Sequence, residues 1–243
     1  MSVTEPVLHL HYDEPVAVIG DIHGCAVQLR ALLARLPPGT RPLVVGDVGD
    51  RGPNTREVID MLIAAGAAGA CGNHDVWLRD LANGGPFDEA ALAPHMGGKA
   101  TLASYGITGT TRPDIEGQRD KIPASHREWL WKLAVAVDLE VGDEKFWIVH
   151  AGIPSTVPLS GVAYAEVVPY LAKHHAPELM WAWSDPAETL PVDRPVVMGH
   201  VPRKRPLDAG HVLAIDTGCG TVKEGGRLTA VLLPERRFVT VGP

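Results

Sequence analysis

Five short apolar runs of the chain are each followed at once by a cluster of residues that can bind a metal ion. Glycines within or beside the clusters allow tight turns, so the end of a strand can pass close to a bound ion. The clusters are Gly20-Asp21-Ile22-His23-Gly24, Gly46-Asp47-Val48-Gly49-Asp50-Arg51-Gly52, Gly72-Asn73-His74-Asp75, His150-Ala151-Gly152 and Gly199-His200. In an open α/β sheet, ligands bind beyond the carboxyl ends of the strands. The pattern therefore predicts that the five clusters converge on one site.

The first half of the chain alternates strand-like runs with helical patterns. Val16–Ile19 is a strand-like run, and leucines at 29, 32, 33 and 36 then form the stripe of an amphipathic helix. Two further helices are predicted to begin near Asn54 and near His74. This alternation is typical of βαβ units and of a mostly parallel sheet. The other strands predicted in this half cover residues 42–45 and 67–71.

The second half is richer in strands. A helix is predicted over 125–135, with Ser125 as its N-cap and Glu128 as its capping-box partner. The Gly-, Pro- and Ala-rich segments 84–124 and 154–190 are expected to be loops or cap segments over the site. We predict an α/β fold in which a second, mixed sheet packs on the first, within one domain spanning residues 1–243. The strands of that half are expected over 137–141, 145–149, 195–198, 212–215, 228–233 and 238–241.

The charge balance restricts the partners of the protein. The formal net charge is −7 and the sequence has no broad basic stripe, so a nucleic-acid backbone is not an expected partner. No apolar run is long enough to cross a bilayer, so no membrane partner is expected. An anionic substrate would need local attraction, which bound divalent cations would supply.

The cysteines and the first residues of the chain indicate the cellular compartment in which the protein is expected. The three cysteines, Cys25, Cys71 and Cys219, are widely spaced and odd in number, which is typical of reduced thiols rather than of a disulfide framework. The residues after Met1 show neither the basic start nor the apolar stretch of a secretory signal. We therefore expect a cytoplasmic protein.

The five clusters resemble, in order and in sequence, the signature of the calcineurin-like metallophosphoesterases. The resemblance is strongest to the phosphoprotein phosphatase branch, with its Gly-Asp-x-His-Gly, Gly-Asp-x-x-Asp-Arg-Gly and Gly-Asn-His motifs, and it runs from about Val16 to about Pro234. Residues 97–106, 122–126 and 216–218 resemble bacterial and phage members, including the symmetrical diadenosine tetraphosphate hydrolases. The resemblance implies an αββα sandwich of two mixed sheets flanked by helices, with a dinuclear metal site at the strand ends.

The resemblance also implies the metal ligands. Asp21 and His23 would bind the first ion, and Asp47 would bridge both. Carboxylate, amide and imidazole ligands together suit divalent transition metals; we expect two Mn ions, with Fe, Zn or Ni as alternatives. The remaining ligands, all for the second ion, would be Asn73, His150 and His200.

Catalytic and phosphate-binding roles follow from the same resemblance. His74 would be the general acid that protonates the leaving oxygen, and Asp50 would orient its ring and favour the imidazolium. Arg51 would hold two phosphate oxygens in a bidentate contact. The neighbouring Asp75 is expected to be a helix N-terminal charge rather than a ligand.

One position departs from the bacterial pattern. Bacterial relatives carry a second phosphate-binding Arg shortly after a Leu-x-Trp element, and here Trp183 stands at that place. Arg194 is the first candidate to replace it, with Arg203 and Arg205 as alternatives. Trp181 and Trp183 are expected to pack against the protein, with stacking on a nucleobase as the alternative.

The activity that the resemblance implies is metal-dependent hydrolysis of phosphate monoesters or nucleotide anhydrides by direct attack of metal-bound water. Two substrate classes fit: a phosphorylated small molecule or nucleotide, such as diadenosine tetraphosphate, and a phosphoprotein. The alternative is a catalytically weak phosphate- or nucleotide-binding protein that retains the fold and the metals, but intact His74 and Asp50 favour an enzyme. A dinucleotide-binding protein is rejected because the first glycine turn lacks the Gly-x-Gly-x-x-Gly spacing.

Overall fold

The computed structural model describes residues 6–183, 185–221 and 226–242. The opening residues 1–5, to which the expectation of no secretory signal refers, lie outside these ranges. Among the residues that are described, no helix is both long enough and apolar enough to cross a membrane.

Strands and helices alternate in the first third of the described chain, whereas the last five strands follow one another with no described helix between them. The strands are β1 (Val7–Tyr12), β2 (Val16–Ile19), β3 (Arg41–Val44), β4 (Ala68–Gly69), β5 (Ala136–Val141), β6 (Glu144–Val149), β7 (Val196–Met198), β8 (Leu207–Asp208), β9 (Val212–Ala214), β10 (Leu228–Leu233) and β11 (Arg237–Val241). The helices are α1 (Ala26–Leu33), α2 (Thr55–Ala64), α3 (Asn73–Ala82), α4 (Gly98–Ser104), α5 (Arg112–Glu116), α6 (Ala124–Trp131), α7 (Val167–His174) and α8 (Ala176–Trp181). Short 3-10 turns cover Glu89–Leu92, Arg119–Lys121, Tyr164–Glu166 and Pro186–Glu188.

The strands form two mixed sheets. One sheet has five strands in the order β11-β10-β2-β3-β4, and the other has six in the order β1-β5-β6-β7-β9-β8. In the first sheet β2, β3 and β4 run parallel, while β10 pairs antiparallel with both β2 and β11. In the second, β6, β7 and β9 run parallel, while β5 is antiparallel to β6. The predicted α/β fold with two mixed sheets is confirmed.

Buried apolar residues form three layers, one between the two sheets and one between each sheet and its helices. The central layer lies between the two sheets and includes Val18, Leu43, Phe146 and Val231. A second layer packs α1, α2 and α3 on the outer face of the five-stranded sheet. A third packs α7 and α8 on the six-stranded sheet. The result is the αββα sandwich that the resemblance implies, and it explains why β2 is buried along its whole length: both of its faces are covered.

One local expectation, the capping box at the start of α6, is wrong. Helix α6 begins at Ala124 with Pro123 at its N-cap, and it has no side-chain cap, so the capping box expected from Ser125 does not form. The segments 84–124 and 154–190, expected to be loops or cap segments, contain helices α4, α5, α7 and α8 and are therefore not simple loops. Their prolines were compatible with helix because Pro is tolerated in a first turn, as Pro113 and Pro177 show.

The central layer should be the most sensitive part of the fold. Replacing Phe146, which is fully buried between the sheets, with Ala should lower the free energy of unfolding by about 3–5 kcal/mol, because a cavity replaces ring contacts. Urea unfolding followed by circular dichroism measures this. Tyr164→Ala is the matched control, since Tyr164 is 59% exposed, and its expected change is within about 0.5 kcal/mol. Equal effects of the two variants would contradict the layer assignment.

Candidate active site at the strand ends

The five clusters lie together where strands of both sheets end. Asp21 follows β2 and Asp47 follows β3 in one sheet, whereas His150 follows β6 and His200 follows β7 in the other. Among the described residues, six non-glycine residues have positive φ, and five of them belong to the clusters. Such backbone is strained and gathers at functional sites. The five are His23, Asp47, Asp50, Arg51 and His200.

Two groups of metal-ligating side chains share one carboxylate. Asp21, His23 and Asp47 form one group, and Asp47, His150 and His200 form the other, with the donor atoms in each within 4.8 Å of one another. The structure thus brings together these predicted ligands, with Asp47 in the shared position. Asn73 adjoins the second group, because its Oδ1 lies 3.0 Å from His150 Nε2.

Backbone carbonyls orient the two deeply buried imidazoles. His23 Nδ1 donates to the carbonyl of Gly49 at 2.9 Å, and His150 Nδ1 donates to the carbonyl of Val45 at 3.0 Å. Each Nε2 therefore faces Asp47 Oδ2, at 3.7 Å from His23 and 3.3 Å from His150. The carboxylate and amide oxygens can only accept hydrogen bonds, so without a cation among these groups His150 Nε2 carries the proton that Asp47 and Asn73 accept. A divalent cation would take the place of that proton. This set of nitrogen and oxygen ligands fits a divalent metal, because the backbone carbonyls hold the imidazoles with Nε2 directed towards Asp47.

The electrostatics of the buried groups agree with that fit. Burial raises the pKa of Asp21 well above its usual value, and the charge of Asp216 raises it further. Burial lowers the pKa of His23 to about 3 and, together with the charge of His150, that of His200 to about 3. Burial also acts to lower the pKa of His150, but the charge of Asp47, its hydrogen bond to the imidazole and the charges of Asp21 and Asp75 together outweigh burial and raise that pKa to about 10. Carboxylates this buried require compensating positive charge, which divalent cations would supply.

The carboxylate of Asp50 orients the imidazole of His74, and both of its oxygens accept hydrogen bonds. His74 Nδ1 lies 2.8 Å from Asp50 Oδ2, which also accepts a hydrogen bond from Trp77 Nε1 at 2.9 Å. Thr101 Oγ1 donates to Asp50 Oδ1 at 2.8 Å. Burial acts to lower the pKa of His74, but the charge of Asp47 and the Asp50 hydrogen bond outweigh it, so the pKa is raised. Trp77 and Thr101 were not predicted; only the 97–106 resemblance pointed near Thr101.

Arg51 extends into the space between the first ligand group and His74. Its Nη1 lies 2.5 Å from His23 Nε2, and its Nη2 lies 3.2 Å from His74 Nε2. This places the guanidinium between a predicted ligand and the predicted acid.

Arg194 lies elsewhere, which contradicts its expected role as the second phosphate-binding arginine. It precedes β7 whereas His200 follows it, and six residues of extended chain span roughly 20 Å. Its guanidinium binds Asp138 and Asp193 and stacks 4.7 Å from the centre of the Trp147 ring. The strand predicted over 195–198 already places Arg194 and His200 at its opposite ends, so the sequence itself argued against a shared site.

The alternative Arg203 lies closer to the site. Its amide donates to the carbonyl of Asp216 at 3.1 Å, and its Nη1 donates to Asp185 at 2.9 Å. Trp183 does not pack against the protein as expected: it is 71% exposed, and its ring centre lies 5.3 Å from that of His200. Trp181 is 47% exposed.

Asp75 does more than the helix N-terminal charge that the sequence predicted. Its carboxylate accepts the amide of Gly72 at 2.9 Å, as a capping residue does, and also the amides of Asp47 at 2.8 Å and Val48 at 2.9 Å. It therefore joins the turn after β3 to the turn after β4. The contact joins residues that are 27 and 28 positions apart in the sequence, so no local sequence pattern could predict it.

The chain is similar to known proteins over most of its length. A family profile described as calcineurin-like phosphoesterase matches residues 14–230. The chain is 30% identical to the bis(5'-nucleosyl)-tetraphosphatase PrpE (asymmetrical) of Anoxybacillus flavithermus, with 92% of each chain covered. It is 38% identical to the symmetrical bis(5'-nucleosyl)-tetraphosphatase of Ralstonia nicotianae over 57% of this chain and 42% of that one.

Solved structures share the fold. A candidate diadenosine tetraphosphatase superposes with a TM-score of 0.63 at 21% identity, covering 97% of each chain. A protein serine/threonine phosphatase from Saccharomyces cerevisiae gives a TM-score of 0.59 at 16% identity, covering 98% of this chain and 84% of that one. At these identities the likeness concerns the fold alone.

Asp75 offers a direct test of how the two turns are held. Asp75→Asn replaces one acceptor oxygen by a donor NH₂ group that faces backbone amides. We expect it to lower the free energy of unfolding by about 2–4 kcal/mol and to weaken Mn²⁺ binding roughly 10- to 100-fold. Chemical unfolding and calorimetric titration measure the two effects. The control is Asp13→Asn, because the side chain of Asp13 is 93% exposed. If Asp75→Asn lost no more stability and Mn²⁺ affinity than this control, the role assigned to Asp75 would be contradicted.

Proposed function

The chain belongs to the calcineurin-like phosphoesterase family, and on that premise we propose that this hydrolase cleaves bis(5'-nucleosyl)-tetraphosphates asymmetrically at two divalent metal ions. The observation that carries the proposal is the pair of ligand groups that share Asp47, with the His74–Asp50 pair beside them. Both sheets contribute ligands, so we treat residues 1–243 as one catalytic domain.

The metal ligands that we propose are those that the geometry groups. Asp21, His23 and Asp47 would hold one ion, and Asp47, Asn73, His150 and His200 the other, with Mn as the expected metal. When bound, such a pair of ions polarises phosphoryl oxygens and provides a nucleophile from water at neutral pH.

His74 is proposed as the general acid. Its Nδ1 is engaged by Asp50, so Nε2 is the nitrogen that can pass a proton to a leaving oxygen. The raised pKa of His74, in which the charge of Asp47 and the Asp50 hydrogen bond outweigh burial, keeps that proton available near neutral pH.

Arg51 is proposed as the residue that holds the phosphate. In the structure its guanidinium donates to Nε2 of His23 and lies 3.2 Å from Nε2 of His74. A cation at His23 would take that lone pair, and the guanidinium would be released to bind phosphate oxygens in pairs. The second arginine is proposed to be Arg203 rather than Arg194.

The substrate class is proposed from the full-length relatives, whose names specify an asymmetrical tetraphosphatase. In the reaction, the oxygen of one water molecule bonds to the phosphorus next to one nucleoside. The bond from that phosphorus to its bridging oxygen breaks, and His74 protonates the bridging oxygen. One nucleoside monophosphate and one nucleoside triphosphate result, whereas symmetrical cleavage would give two diphosphates.

A cytoplasmic site of action is part of the proposal. Its support is that Cys25, Cys71 and Cys219 are free thiols in the described part of the chain, which fits a reducing compartment.

The proposal is tested with metal-stripped protein to which Mn²⁺ is returned. Diadenosine tetraphosphate should be converted into AMP and ATP only with metal, and His74→Asn should lower kcat about 10²- to 10⁴-fold. Separation of nucleotides by chromatography identifies the products, and circular dichroism with metal analysis shows that the variant is intact. Two molecules of ADP would contradict asymmetrical cleavage. Turnover of phosphopeptides alone would contradict the substrate class.

The arginine assignments make a separate prediction. Arg51→Ala should lower kcat/KM about 10- to 100-fold, because charge-assisted hydrogen bonds to phosphate are lost. Arg194→Ala should leave kcat and KM within about twofold, since its partners are Asp138 and Asp193. Steady-state kinetics on the two variants decide the matter. A large loss of kcat/KM in Arg194→Ala, with folding unchanged, would show that Arg194 takes part in substrate binding after all.

A further inference from the structure

A cavity of about 310 Å³ lies beside the second ligand group. One of its walls is a single face of helix α3, formed by Asn73, Val76, Trp77 and Asp80. These positions follow the i, i+3, i+4, i+7 spacing of a helix. The opposite wall comes from the chain between Pro86 and Met96 and from Trp181. The volume is at the lower end of small-molecule sites.

The cavity runs from a metal ligand to a carboxylate. Asn73 at one end adjoins His150, and Asp80 stands seven residues further along α3. At 1.5 Å per residue, this separation is about 10 Å. That is the reach of a nucleoside 5'-phosphate from its phosphate to the far edge of its base.

Trp181 gives the cavity an aromatic wall. Its side chain is 47% exposed, although large apolar side chains are normally buried. Trp77, on the helix wall, is fixed by its hydrogen bond to Asp50 and by edge contact with Phe87. Stacking of a base on an aromatic side chain contributes about 1–3 kcal/mol and tolerates any base.

Two carboxylates add a chemical preference at the far end. Among the described residues Asp80 forms an ion pair with Arg79, whose Nε lies 3.6 Å from Oδ1, beyond hydrogen-bond distance. Asp88 uses Oδ1 to accept the amide of Ala90 at 3.0 Å, which leaves Oδ2 for another donor. Carboxylates accept hydrogen bonds and donate none when ionised. They therefore favour bases that carry an amino group over uracil.

We propose that this cavity binds an amino-bearing nucleobase of the substrate, with Trp181 stacked on the base and Asp80 accepting from its amino group. The inference rests on the proposed function and specifies its substrate: the phosphate next to the bound nucleoside is the one that reaches the metal ligands. This position makes cleavage asymmetrical, because the attacked phosphorus is the first in the bridge.

The test measures binding, so that it does not depend on turnover. Mn²⁺-loaded His74→Asn protein is titrated calorimetrically with AMP, UMP and inorganic phosphate, alone and with Trp181→Ala added. The affinity for AMP should fall about 5- to 150-fold, at least fivefold more than the affinity for phosphate. Trp181→Phe should restore most of the loss. Tyr164→Ala, which changes an exposed aromatic residue outside the cavity, should cause no loss of AMP affinity.

Asp80→Ala tests the base preference in the same background. AMP should bind several-fold more tightly than UMP, and this ratio should shrink towards one in the variant. Equal losses of AMP and phosphate affinity in Trp181→Ala, or equal binding of AMP and UMP before any change in the cavity, would overturn the inference. If hydrolysis gives AMP and ATP while Trp181→Ala leaves AMP binding unchanged, the proposed function stands and the cavity assignment falls. If no substrate is hydrolysed but AMP binding depends on Trp181, the cavity assignment stands and the proposed function falls.

Discussion

The carboxylate of Asp47 is the contact on which the rest of the site depends. It follows β3 of the five-stranded sheet and lies 3.3 Å from His150, which follows β6 of the other sheet. Its Oδ1 also accepts the amide of His74 at 2.9 Å, so the same side chain positions the start of α3. One buried carboxylate thus links both sheets, both ligand groups and the predicted acid.

Holding that carboxylate in place restricts the neighbouring backbone. A Cβ at Gly72 would overlap the side chain of Asp47, and one at Gly199 would overlap the carboxylate of Asp21. Asp75 then ties the amides of Asp47, Val48 and Gly72 together. The apolar layer between the sheets provides a rigid support against which these strained turns can be maintained.

The sequence predicted what depends on local pattern and failed where distant segments meet. The bounds of β2 and β10 were predicted to the residue, because continuous apolar runs between turn residues leave little choice. The strand-end clusters indicated which residues would converge. The ion pair of Arg194 with Asp138, the exposure of Trp183 and the hydrogen bond from Thr101 to Asp50 depend on packing between segments far apart in the chain, which no local pattern encodes.

The proposed sharing of Asp47 by two metal ions is tested most directly by counting the bound metal. Equilibrium dialysis of the metal-stripped protein against Mn²⁺, followed by metal analysis, should give two ions per chain. His200→Ala should retain one ion tightly, and Asp47→Ala should retain neither. A single ion in the unaltered protein, or two tightly bound ions in Asp47→Ala, would contradict the account.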